Sequence, residues 1–152
     1  MQYMTASADE TIKIAKQLGE VLPADSLIIL NGDLGMGKTV FAKGLAAGLG
    51  ITERITSPTF LLVQEYEGGR LPFCHMDAYR LEACPVADLG LEDYWSSRGV
   101  CLIEWGELLS EILPECYTKI EIARLDDEQR VLTVSGEHEA LIAELWKDFE
   151  YK

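Results

Sequence analysis

The chain has 152 residues, 48% hydrophobic and 26% charged, a balance that excludes a disordered or low-complexity polypeptide. At this length roughly 70% of the unfolded surface is buried on folding, so no disulfide or structural metal is needed as a staple. Asp plus Glu number 26 against 13 for Lys plus Arg, a net charge of −13, and that field repels polyanions, which argues against direct tight binding of nucleic acid.

No apolar run approaches the ~20 residues of a membrane span, and the opening MQYMTASADE has neither a basic nor an apolar leader region. A cytoplasmic chain with no membrane association is expected. Cys74, Cys84, Cys101 and Cys116 form no C-x-x-C pair, and reduced thiols packed as small hydrophobes are expected. With His75 and His138 the only histidines, a zinc site would need an unusual ligand set.

No repeat and no Pro/Gly/Ser-rich linker divides the chain, which predicts one domain over 1–152. Ser7-Ala8-Asp9-Glu10 has the capping-box pattern, and Ile12, Ala15, Leu18 and Leu22 then recur at helical spacing. Leu27 to Leu30 is a continuous apolar run, as in a central parallel strand covered on both faces. Beyond a glycine cluster, Val40, Phe41, Leu45 and Leu49 keep helical spacing up to Gly50, a C′ residue. Phe60 to Tyr66 and Leu71 to Met76, joined by Glu67-Gly68-Gly69-Arg70, read as a hairpin. Pro85 opens a short helical stretch ending near Tyr94 and Trp95; Val100 to Ile103 reads as a second buried strand, and Gly106 to Leu113 as a helix. Thr118 to Ile122 and Arg130 to Val134 read as a second hairpin, closed by Asp126-Asp127-Glu128. Leu141, Leu145 and Phe149 mark one face of a final helix. The fold expected is a three-layer α/β domain with a mixed sheet including antiparallel hairpins.

Gly32-Asp33-Leu34-Gly35-Met36-Gly37-Lys38-Thr39 satisfies G-x-x-x-x-G-K-[ST] between the buried strand and the helix, the context a P-loop requires. The glycines let backbone N–H groups turn toward phosphate oxygens, at the positive end of the helix that runs on through Val40. Lys38 supplies a charge to the β- and γ-phosphates, and the Thr39 hydroxyl is a ligand for Mg²⁺. A nucleoside triphosphate and Mg²⁺ are the expected ligands. A P-loop also needs a carboxylate at the end of a neighbouring strand. Glu104 is the better match to four apolar residues followed by an acid, and Asp77 is the second candidate. One acid would fix the metal and the other would orient or deprotonate the attacking water.

Several motifs in order then resemble one family. The P-loop is followed by Ser57-Pro58-Thr59-Phe60, His75-Met76-Asp77-Ala78-Tyr79-Arg80-Leu81, Gly90-Leu91-Glu92-Asp93-Tyr94 and Glu104-Trp105. Over about residues 27 to 107 the chain is similar to the bacterial TsaE-type (YjeE-type) ATPases required for threonylcarbamoyladenosine modification of tRNA at position 37. It departs at Met36, where alanine is common, and at Gly106, where proline is common. The resemblance implies a P-loop NTPase-like fold, Mg²⁺ binding by Thr39 and Glu104, a role for Asp77 in hydrolysis, and a switch-like role for Ser57-Pro58-Thr59, with Thr59 reaching the metal. It implies as partners the transferase subunit TsaD and its companion TsaB. His75 reads on its own as a core histidine with satisfied hydrogen bonds. Trp105 reads as core or as a wall of the metal site, and Tyr79 and Arg80 as phosphate contacts, partner contacts or solvated residues. Ser7 and Thr11 are candidates for the neighbourhood of the base, although the capping box already accounts for Ser7.

Two other functions share these residues. A small-molecule kinase of the P-loop class would use the same loop and metal, but the six arginines are scattered and form no lid. A GTP-dependent switch would need [NT]-K-x-D. Thr118-Lys119-Ile120-Glu121 comes close, with Glu for Asp and inside an expected strand.

Overall fold

The computed structural model describes residues 1–32, 37–56, 63–78, 93 and 98–152. In chain order it forms β1 (Gln2–Thr5), α1 (Ala8–Val21), β2 (Ser26–Asn31), α2 (Lys38–Gly48), β3 (Val63–Tyr66), β4 (Phe73–Asp77) and β5 (Val100–Glu104). A 3₁₀ turn (Gly106–Leu109), β6 (Thr118–Arg124), β7 (Arg130–Gly136), α3 (Glu139–Leu145) and a second 3₁₀ turn (Lys147–Phe149) complete it.

The strands form a seven-stranded sheet in the order β1-β7-β6-β2-β5-β4-β3. β2 is central and parallel to both β5 and β6, and β4 is parallel to β5. The outer pairs β3–β4, β6–β7 and β1–β7 are antiparallel. This is the mixed α/β sheet expected from the apolar runs, with both hairpins in place. All residues of β4 and β5 are buried, because each of these strands has covered faces on both sides.

Strand periodicity divides the core. Phe73, Ile28, Leu30, Val100 and Leu102 join Leu18 of α1 and Phe41 and Leu45 of α2 on one face. Cys74, Met76, Leu27, Ile29, Cys101 and Ile103 point to the other, against Leu109, Ile112 and Leu113. Even-numbered positions of β5 therefore look toward α1 and α2. The cysteine reading holds for Cys74 and Cys101, buried free thiols in register across β4 and β5, and fails for Cys116, a free thiol that is exposed rather than packed. The hydrogen bond with Cys74, then burial, push the Cys101 thiol well above its ordinary range.

α1 begins at the capping box: Ser7 Oγ accepts from the Glu10 N–H at 3.2 Å, and Glu10 Oε2 accepts from the Ala6 N–H at 2.6 Å. α2 closes at Gly50 in a Schellman arrangement, with the Gly50 N–H donating to Ala47 O and the Ile51 N–H to Ala46 O, both at 3.0 Å.

Three local expectations are corrected. β1 was not foreseen; four residues with Tyr3 and Thr5 buried are too short to give a sequence signal. The helix expected over Gly106 to Leu113 is a 3₁₀ turn ending at Leu109, after which the Ile112 and Leu113 N–H groups both donate to Leu109 O. Pro114 disfavours helical backbone at Leu113. Leu145 and Phe149 pack against the core as expected, but Leu141 is exposed, and the fully buried residues are Ile142 and Trp146. Trp146 decides that orientation: its indole N–H donates to Ile14 O at 3.0 Å, and its ring meets Tyr3 edge-on at 5.3 Å. The helix expected from Pro85 lies outside the described residues.

Candidate functional site

The parallel register sets the positions of the two acids. Leu30 of β2 is the partner of Glu104, and Glu104 is the partner of Asp77. Three strands thus end together. The ladder runs one step further, with the Ala78 N–H donating to Glu104 O at 2.9 Å and the Trp105 N–H to Leu30 O at 3.4 Å. Carboxyl ends of parallel strands are where α/β sheets place their ligands. Both candidate acids are there, and both are buried, Asp77 at 6% exposure and Glu104 at 4%.

Gly32 follows β2 at the same end of the sheet and is half-buried. The chain re-enters the described structure at Gly37, which is the N-cap of α2 with φ 96° and gives it no side-chain cap. That backbone conformation favours glycine. The first-turn N–H groups of α2 therefore get no acceptor from their N-cap side chain, the arrangement that suits an anion. Lys38 is buried, and its Nζ lies over the Trp105 ring, 4.0 Å from the centroid. Thr39 and Val40 are half-buried on the first turn of the helix. Asp33, Leu34, Gly35, Met36, the Ser57-Pro58-Thr59 segment, Tyr79 and Arg80 lie outside the described residues.

Trp105 takes a φ of 60° directly after Glu104, turning the chain off the sheet so that its ring reaches Lys38. A Cβ on Gly106 would stand 2.5 Å from Ile29 Cγ2. Ile29 thus fills the space that any larger residue at this position would need.

His75 is fully buried, and its Nε2 is 2.6 Å from Glu104 Oε2. Its Nδ1 has no hydrogen-bond partner among the described residues. The expectation of a satisfied core histidine is half right: it is in the core, but only one ring nitrogen is satisfied.

Beside the α2 N-terminus lies a recess of about 250 Å³, lined by Ser7, Ala8, Thr11, Gly37, Val40, Asp127, Glu128 and Arg130. Ser7 and Thr11 therefore do stand next to the P-loop helix. Thr11 is held there by its Oγ1, which shares a 2.7 Å hydrogen bond with Thr5 Oγ1 and donates to Ser7 O at 3.3 Å. Asp127, Glu128 and Arg130 were not foreseen. Asp127 and Glu128 come from the β6–β7 connection, where Asp126 Oδ1 accepts from the Glu128 and Gln129 N–H groups, and Arg130 opens β7; only the sheet order brings that turn to α1.

The two carboxylates at the sheet end and the Thr39 hydroxyl on the first turn of α2 are hard oxygens of the kind Mg²⁺ takes together with phosphate and water.

A mixed α/β sheet with a glycine-led helix and two buried acids at its carboxyl end defines the P-loop NTPase-like class. The family model described as "Threonylcarbamoyl adenosine biosynthesis protein TsaE" matches residues 5–132, and the chain belongs to that family. It is 43% identical over 148 residues to the tRNA threonylcarbamoyladenosine biosynthesis protein TsaE of Bacillus subtilis, covering 95% of this chain and 93% of the relative. The protein of that name from Treponema pallidum is also 43% identical, over 89% of this chain and all of the relative. Among solved structures, the crystal structure of Bacillus subtilis YdiB superposes with a TM-score of 0.83 at 38% identity, covering 99% of this chain and 96% of that one.

Proposed function

We propose that this chain is the Mg²⁺-dependent ATP-hydrolysing subunit needed for threonylcarbamoyladenosine formation at position 37 of tRNA, and that it acts on the transferase complex of TsaD and TsaB. Family membership supports the pathway. The observation that carries the chemistry is the register Leu30–Glu104–Asp77 at the end of the sheet where α2 begins.

In this reading the first-turn N–H groups of α2 and the Lys38 ammonium bind the β- and γ-phosphate oxygens, while Ser7 and Thr11 border the recess beside them. Thr39 and Glu104 would hold the metal, with Thr59 joining when the γ-phosphate is present, and a Mg²⁺ ion there would offset the charge on the phosphate oxygens. Asp77 orients a water and takes its proton as the water oxygen bonds to the γ-phosphorus. The bond from that phosphorus to the β–γ bridging oxygen breaks, and ADP leaves with the electron pair.

The guanine-reading alternative loses ground, because Thr118-Lys119-Ile120-Glu121 forms part of β6 and is hydrogen-bonded on both sides, to β2 and β7. No helix among the described residues is long and apolar enough to cross a membrane. With a net charge of −13, the chain acts on the transferase rather than holding tRNA itself.

The test is reconstitution. Purified chain, TsaD, TsaB and unmodified tRNA, supplied with threonylcarbamoyl donor and MgATP, should sustain modification and phosphate release. Omitting the chain should stop modification. Undiminished modification without it, or no phosphate release in the full mixture, overturns the proposal.

A further inference from the structure

We propose that His75 is a positioning residue for Glu104: its Nε2–H holds the carboxylate in the orientation from which Glu104 meets the metal. This rests on the reading of Glu104 as a Mg²⁺-binding group. The argument starts from strand geometry. His75 and Asp77 are two apart on β4 and so project to one face, and Asp77 is the register partner of Glu104. His75 is therefore diagonal to Glu104 on that face, one step deeper in the sheet, and its ring spans the diagonal to a 2.6 Å contact.

The ring has little freedom to be anywhere else. It is wholly buried, it stacks on Phe73 with centroids 6.0 Å apart and planes 21° from parallel, and Leu102 is its cross-strand partner. A carboxylate can only accept, so with Glu104 ionised the proton of this bond is on Nε2. Nδ1 then needs no proton, and it has no partner among the described residues.

That orphan nitrogen separates the positioning role from plain packing. Burying a polar atom without a partner is unfavourable, and an apolar side chain of similar size would fill the same space without that penalty. What an apolar side chain would not supply is the bond to Glu104. A metal-binding carboxylate held by a hydrogen bond from behind keeps its other oxygen aimed outward, and loss of such an outer partner typically lowers metal affinity about 10–100-fold.

The experiment compares His75→Leu and His75→Gln, since the glutamine amide N–H reaches about as far as imidazole Nε2. ADP binding is titrated with Mg²⁺ and, separately, in EDTA. His75→Leu should need about 10–100-fold more Mg²⁺ for half-maximal binding, with ADP affinity in EDTA unchanged. His75→Gln should stay near the wild-type requirement, and adding His75→Leu to Glu104→Gln should cost nothing further. If His75→Leu does not fold, ¹⁵N NMR of the wild-type chain decides: a His75 ring protonated at Nε2 is expected, and a neutral ring protonated at Nδ1 overturns the proposal. An unchanged Mg²⁺ requirement in folded His75→Leu, or failure of glutamine to restore it, also overturns the proposal, provided Glu104→Gln itself shifts the requirement. If Glu104→Gln does not shift it, the metal role of Glu104 fails first and takes the positioning role with it.

Discussion

The ammonium of Lys38 stands 4.0 Å from the centroid of the Trp105 ring, which joins the first residue of α2 to the residue that follows Glu104. A cation held against an aromatic face keeps part of its attraction when its neighbours are buried, as here. In the proposed cycle Lys38 moves from the ring to the phosphate oxygens. Adding MgATP should therefore change the emission of Trp105, and the change should vanish in Trp105→Phe. Lys38→Ala should weaken ATP binding by about tenfold or more, the equivalent of one charged hydrogen bond at about 1.5–3 kcal/mol, and abolish hydrolysis. Calorimetric titration and phosphate release check both. A folded Lys38→Ala chain that hydrolyses ATP normally would sink the P-loop reading.

Much of the site was legible in the sequence because its signals are local. Val100 to Glu104, four apolar residues and an acid, became a buried strand with the acid at its end, and Gly37-Lys38-Thr39 opened a helix where the pattern requires one. The unread parts depend on long-range placement. The H-x-D spacing of His75 and Asp77 was visible, but that the histidine would meet Glu104 follows only from the β4–β5 register. Asp127, Glu128 and Arg130 read as hydrophilic turn and strand residues, and nothing local says that β7, pairing with β1, swings that turn over the start of α1. Leu145 and Phe149 lie against the core as their spacing predicts, but Leu141 does not, because Ile142 and Trp146 fill that face.

The contact between α1 and α2 is close enough to test by one methyl group. A Cβ on Gly48 would lie 2.1 Å from Lys16 O and 2.8 Å from Gly19 Cα, both backbone atoms. Alanine gains up to about 1 kcal/mol over glycine in a helix, but overpacking costs about 1–3 kcal/mol and more where backbone must move. Gly48→Ala should therefore destabilise the chain. Urea unfolding should show a lower midpoint at an unchanged slope, and a midpoint equal to or above wild type would contradict the close approach.

Stability should also fall on the alkaline side. Cys101, hydrogen-bonded to Cys74 and buried, has its thiol pushed well above the ordinary 9.0. The unfolded chain thus releases this proton at lower pH than the folded one. The contribution is fully present below pH 9.0 and is lost progressively as pH rises from there through the folded value. Cys101→Ala should lose packing at every pH yet show a shallower decline of the urea midpoint between about pH 8 and 10. Parallel declines in the two chains would rule this linkage out.

The two acids, side by side in the sheet, are expected to fail differently. Glu104→Gln keeps size and hydrogen-bonding capacity but removes the charge that faces the metal, so the Mg²⁺ concentration needed for nucleotide binding should rise while binding in EDTA is unaffected. Asp77→Asn removes a proton acceptor for the attacking water. Binding of MgATP should stay within a few-fold of wild type, and turnover should fall by about 10²–10⁴, the range of a lost general base. Mg²⁺-dependent binding and single-turnover hydrolysis measure the two effects. Equal loss of Mg²⁺ affinity in both variants would make Asp77 a metal group as well, and the attacking water would then need a different partner.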